Sequence, residues 1–131
     1  MATWSDLVLY VRANHRVAEE KPNMLQMVFD TGNLRSQLVF LWRQTLMDGG
    51  EEWVQIESPF AKVGSVDLQR ALEEVGGVVC GGAAIDSGHL LIRHAVPLAN
   101  LNINEFERPL LLVTSTADRL ERDLNGGGDH Y

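Results

Sequence analysis

Cysteine is nearly absent. Cys80 is the single one in 131 residues, which excludes an intrachain disulfide and leaves no Cys/His spacing of the zinc-binding kind. Its position inside the apolar stretch GGVVCGGAAI points to a buried, unreactive thiol in a reducing compartment. Clustered basic charge is also missing. Eleven Lys and Arg residues are scattered among 18 acidic ones, for a net charge of −7, which argues against nucleic acid as a partner because such binders carry a basic patch or stripe. No stretch approaches the roughly 18 consecutive apolar residues of a membrane span. The opening segment MATWSDLVLYVRANHR has neither a basic start nor a long apolar run, so a signal peptide is not expected and a cytoplasmic protein is.

What is present is ordinary globular material. Apolar residues make up 45% and charged residues 22%, enough for one core in one domain without staples. The first segment has helical spacing at Trp4, Leu7, Val8 and Val11, with Thr3 as N-cap and Asp6 three residues on. The stretch NHRVAEEKPN is polar, and Pro22 closes it. Three strands are then predicted: Met24 to Phe29, Ser36 to Leu46, and EEWVQIES from Glu51. The turns between them are Asp30 to Asn33 and Asp48 to Gly50. Alternation puts Val39 and Leu41 on one face and Leu38, Phe40 and Trp42 on the other, with Val54 and Ile56 toward the core.

Ser65 is placed as the cap of a second helix with the stripe Leu68, Ala71, Leu72, Val75, stopped by Gly76 and Gly77. Strands Val78 to Ile85 and Leu90 to Val96 follow, joined by Asp86 to His89. Asn102 and Glu105 form a capping box for a third helix, with apolar positions from Phe106 to Leu124 and a kink expected at Pro109. Residues 126–131 are read as a flexible tail. The fold class is α+β: an antiparallel sheet of about five strands with helices packed on it, in the order α-βββ-α-ββ-α, as one domain over residues 1–125.

Several motifs could carry chemistry. Two triplets, Asp30-Thr31-Gly32 and Asp86-Ser87-Gly88, have the form of aspartic-protease loops, whose carboxylates must share a proton at about 3 Å. Both lie where a strand must reverse, where Asp and Gly are favoured for backbone reasons, and they are read as turns. Ser87, His89 and Asp86 are too close in sequence to converge as a triad, and no Gly-x-Ser-x-Gly elbow is present. His89 and His94 are five apart on one strand and point to opposite faces, so they are not read as metal ligands. Gly76-Gly77 and Gly81-Gly82 follow a helix rather than precede one, opposite to a phosphate loop. Gly81 and Gly82 are read as a bulge or a close backbone approach. Glu51-Glu52 and Glu73-Glu74 are read as solvated charges. Trp42, Arg43, Trp53 and Phe60 are the candidate partner-binding residues, since Trp and Arg are common interface anchors.

The strand GGVVCGGAAID, the stretch GHLLIRHAVPLANLNI and the closing TADRLERDL resemble the YbjN family of bacterial proteins, whose fold is like that of type III secretion chaperones. The resemblance rests on Leu91 to Arg93, Pro97-Leu98 and Ala117-Asp118, within about residues 76–124. It implies a small acidic protein that binds another protein and forms a homodimer, with no catalytic residues, cofactor or metal. A chaperone-like or regulatory adaptor is therefore the expected function. The alternative kept open is a small-molecule binder or an enzyme of unrecognised type.

Overall fold

The computed structural model describes residues 1–46, 49–126 and 128–131. These residues form three helices and a six-stranded antiparallel sheet.

Helix α1 (Trp4–Asn14) starts at the Thr3 cap. The Thr3 hydroxyl accepts from the Asp6 backbone N–H, and Asp6 accepts in return from the Thr3 N–H. Trp4, Leu7, Val8 and Val11 are its buried face. The polar stretch that follows is a sixth strand, β1 (Val17–Lys21), paired with β2 (Met24–Gly32) from Val17↔Met27 to Lys21↔Met24. Its side chains carry no alternation because it is an edge strand with four exposed residues out of five. Its pairing comes from the backbone ladder, and edge charges such as Glu19 and Glu20 discourage a further strand from adding.

Strand β3 (Arg35–Leu46) follows a tight reversal in which Asn33 and Leu34 take φ of 52° and 62°. The turn thus centres two residues later than the Asp30–Asn33 expected. Two successive left-handed residues match the twist of a hairpin. Strand β4 (Glu51–Lys62) pairs with β3 from Leu46↔Glu51 onward. Of the turn expected at Asp48 to Gly50, Asp48 lies outside the described residues, while Gly49 and Gly50 are in a turn, Gly49 with φ +76°.

Pro59 lies inside β4, between two sheet neighbours, where its missing N–H would leave a gap in the ladder. The register slips between Pro59 and Ala61, so the proline sits at a bulge, the place a sheet tolerates it. The fully buried Gln37 serves this point, its Nε2 donating to the Pro59 carbonyl at 2.7 Å and to the Ser58 hydroxyl at 2.8 Å. The bulge also breaks the in-out alternation. Phe60 and Ala61 both enter the core.

Helix α2 (Leu68–Val75) is capped by Asp67, not Ser65. The Asp67 carboxylate accepts from the N–H groups of Gln69 and Arg70, whereas the Ser65 hydroxyl donates to the Lys62 carbonyl. Only Ala71 and Val75 of its expected stripe are buried, and Leu68 and Leu72 stay exposed. Strand β5 (Gly82–Asp86) begins later than expected. Gly81 takes φ +92°, and a Cβ there would stand 2.9 Å from Ile92 Cγ2 and 3.3 Å from the Arg93 carbonyl oxygen. The close approach anticipated at this glycine is therefore to the neighbouring strand β6 (His89–Pro97). Gly81→Ala should destabilise the domain by about 1–3 kcal/mol through left-handed strain and that contact, measurable as a lowered urea midpoint at unchanged slope.

Helix α3 (Ile103–Leu124) begins at the Asn102/Glu105 capping box and runs through Pro109 without ending. The sheet order is β1-β2-β3-β4-β6-β5. Helices α1 and α3 pack on one face of it. The core between them includes Leu7, Val11, Met27, Val39, Leu41, Val54, Ile56, Ile92, Phe106, Leu110 and Leu120.

Candidate functional site, an apolar groove on the open sheet face

Alternation on the central strands puts every second side chain on the face away from α1 and α3. Across that face, register aligns Gln26, Phe40, Glu57, Arg93 and Gly82 in one row. Met24, Trp42, Gln55 and Ala95 form the next row. Leu38, Phe40, Trp42, Pro59 and Leu91 line an open groove of about 290 Å³. Glu57, Asp86, Ser87, His89 and Tyr131 complete its walls, and no residue of α1, α2 or α3 contributes. Pro59 and Leu91 are buried on its floor, while Leu38, Phe40 and Trp42 are partly exposed, and contiguous exposed apolar area of this kind commonly marks a contact surface.

Glu57 is the buried polar group of this face. Its side chain is 5% exposed. Oε1 accepts from Arg93 Nε at 2.8 Å and from Gln55 Nε2 at 2.7 Å. Burial raises its pKa above the ordinary carboxylate value, Arg93 opposes that rise, and the neighbouring negative charge of Asp86 adds to it. Asp86 accepts from the Ser87 hydroxyl at 3.2 Å and has no ion-pair partner among the described residues. At the groove's end, His89 Nδ1 and the Tyr131 hydroxyl are 2.8 Å apart, with the rings edge to face.

The four candidate partner-binding residues do not come together. Trp42 lines the groove. Trp53 is half-buried and donates from Nε1 to Glu51. Arg43 lies on the opposite side of β3 from Trp42 and pairs with Glu52 at 3.0 Å. Phe60 is fully buried, so it cannot meet a partner: the bulge at Pro59 turns it into the core. Phe40, Leu38, Leu91 and Glu57 are the groove residues that the choice of Trp and Arg anchors overlooked. The alternation of β3 had already put Leu38 and Phe40 on Trp42's face.

The two Asp-Gly turns are far apart. Asp30 lies in β2 two residues before its end at Gly32, and Asp86 ends β5; the two strands are four positions from one another, roughly 19 Å along the sheet at the usual spacing. Each carboxylate bonds within its own turn, Asp30 Oδ1 accepting from the Gly32 N–H. The pair cannot share a proton within one chain. His89 faces the groove while His94 pairs with Ile56 on the helix side.

A second polar cluster was not legible in the sequence. Asp118, Glu121 and Asp129 bring carboxylate oxygens within 4.8 Å of one another. The cation among them is Arg35, with Nε 3.1 Å from Asp118, and Nη2 3.5 Å from Glu121 and 3.8 Å from Asp129. Arg35 also donates to the Gly128 carbonyl, and the His130 N–H donates to Glu121. Residues 128–131 are thereby bonded to the body of the domain. Burial raises the Glu121 pKa above the ordinary carboxylate value. A third cluster joins α1 to α3: the Tyr10 hydroxyl donates to Glu107 at 2.5 Å, and His15 Nε2 lies 2.7 Å from the same oxygen. Burial and Glu107 push the Tyr10 pKa up to about 12.

No protein-family model matches the chain, and no curated protein matches it. Among the described residues no helix is long and apolar enough to cross a membrane.

Proposed function

We propose that this chain is a non-enzymatic protein-binding module of the YbjN kind, chaperone-like or an adaptor, that uses the open face of its sheet. The observation that carries the reading is the groove of Leu38, Phe40, Trp42, Pro59 and Leu91, left uncovered by all three helices. A partner's apolar side chains would gain about 25 cal/mol for each Å² they remove from water there. The separation of Asp30 from Asp86 supports a role without proton-sharing catalysis. Cys80, buried and with its thiol pKa raised by burial, suits a reducing, cytoplasmic setting.

Homodimerisation belongs to the same proposal. Leu68 and Leu72, one turn apart on α2, are exposed, and this apolar pair offers a self-contact away from the groove. Light scattering should give twice 14.6 kDa at micromolar concentration; a single monomer would remove this part of the proposal.

The test is capture of a partner by cross-linking in lysate with wild type and Trp42→Ala side by side. One protein recovered stoichiometrically by wild type and lost by the variant is the expected result. Equal recovery by both would remove the groove from the function. A small-molecule reading has one observation in its favour, the desolvated Glu57 in the groove wall. It would be preferred if no protein is recovered and a ligand alters the Trp42 environment.

A further inference from the structure

The groove is apolar on its floor and acidic at one side. Glu57 and Asp86 both face it, and both also line a shallower recess beside it with Trp42, Gln44, Gln55 and Arg93. The described side chains lining these two spaces supply two carboxylates and one guanidinium. Arg93 is committed to Glu57 at 2.8 Å. Among the described residues Asp86 has only the Ser87 hydroxyl. One negative charge is therefore left over at the junction between an aromatic wall and a desolvated carboxylate.

We infer that the groove takes a segment of another protein in which a large apolar side chain is flanked by a lysine or arginine. The apolar side chain would fill the space between Phe40, Pro59 and Leu91, and the cation would stand by Asp86 and against the Trp42 ring. This deepens the protein-binding reading above and rests on it. Three features favour this occupant. A cation beside Asp86 satisfies a carboxylate that has no ion partner among the described residues. It also relieves the repulsion between Asp86 and Glu57, which contributes to the raised Glu57 pKa. Trp is the best aromatic face for a cation, and the attraction grows as water is removed. A second copy of the chain is disfavoured here, since it brings its own net charge of −7 to an acidic margin.

The experiment is calorimetric titration of the full chain with two synthetic amphipathic peptides, one of leucine and lysine and one of leucine and glutamate. The leucine–lysine peptide should bind at least about tenfold more tightly, a difference near 1.4 kcal/mol, and more weakly as salt is raised. Phe40→Ala should weaken both peptides, and Asp86→Asn should narrow the gap between them. Glu73→Gln, an acidic site on α2, should change neither. Asp86 is exposed at a turn, so its variant should fold even if Phe40→Ala does not.

If Asp86→Asn has no more effect than Glu73→Gln, the attraction belongs to the whole acidic surface and the inference is overturned. If both peptides bind equally and Phe40→Ala weakens both, selection for a basic flank is wrong while protein binding by the groove stands. If neither binds, the inference fails and the capture experiment decides the broader reading separately. A dimer that Phe40→Ala dissociates would overturn it also, by showing that a second copy covers the groove.

Discussion

Phe60→Ala is expected to cost about 3–5 kcal/mol of unfolding free energy, among the largest single-site losses in the apolar core. Phe60 is fully buried and belongs to the cluster under α3. The residues around it are fixed by other constraints. Ala61 follows it at the bulge, and the Phe60 carbonyl accepts from Asn125 Nδ2 at 2.8 Å. The site is thus tied to both the sheet and the end of α3, so little collapse into the vacated volume is available, and the upper half of the range is expected. A large fraction of the stability of a domain this size would be removed. Chemical denaturation of wild type and variant, compared by midpoint at equal slope, measures the loss. A loss below about 1 kcal/mol would mean that the side chain is not packed in the core as described. Phe60→Leu should recover a large part of it. A binding anchor on the surface would behave in the opposite way, with small effects on stability and large effects on capture.

The second large effect is expected at Arg35. Removing the cation from a buried cluster leaves its carboxylates uncompensated, which typically costs about 3–5 kcal/mol. The Arg35 side chain is 12% exposed, Asp118 8% and Glu121 0%. Three carboxylates converge on one guanidinium, so Arg35→Ala leaves negative charge that water reaches poorly. The loss should depend on pH in a defined direction. Glu121 already has a pKa raised by burial in the folded chain, and loss of Arg35 raises it further. A carboxyl with a raised folded pKa binds its proton more tightly when folded. Its favourable contribution is present at pH below the unfolded carboxylate value and is lost as pH rises through the folded one. The Arg35→Ala deficit should therefore be smaller near pH 5 than near pH 8. A deficit that does not shrink on acidification would assign it to lost packing rather than lost charge. The same variant should also free residues 128–131, since Arg35 holds the Gly128 carbonyl and pairs with Asp129. Faster amide exchange at His130 would report this.

The helices and most of the strands were legible because their signals are local. Thr3 with Asp6 and Asn102 with Glu105 are capping boxes that need only three residues of spacing. The alternation of β3 separates Val39 and Leu41 from Leu38, Phe40 and Trp42 without reference to any other strand. Strand β1 was not legible, because an edge strand can be charged throughout and still pair through its backbone. The α2 cap was misplaced by two residues because both Ser65 and Asp67 have capping chemistry, and only the course of the chain decides which reaches free N–H groups.

The amino-acid sequence by itself determined an α+β domain, the reversal after Asp86, and the side of β3 on which Trp42 stands, whereas it placed the β2–β3 reversal two residues too early. These follow from dihedral preference and side-chain period, which act over a few residues. Tertiary structure alone decided which sheet face the helices cover, and hence that Phe40, Trp42 and Leu91 are left as a groove. It also turned Phe60 inward at the Pro59 bulge and brought Arg35 to Asp118 and Glu121, 83 and 86 residues away. Such pairings depend on strand order and register across the whole sheet. No short stretch of sequence carries that information, because each strand offers two faces and burial of one is settled only when its neighbours are in place.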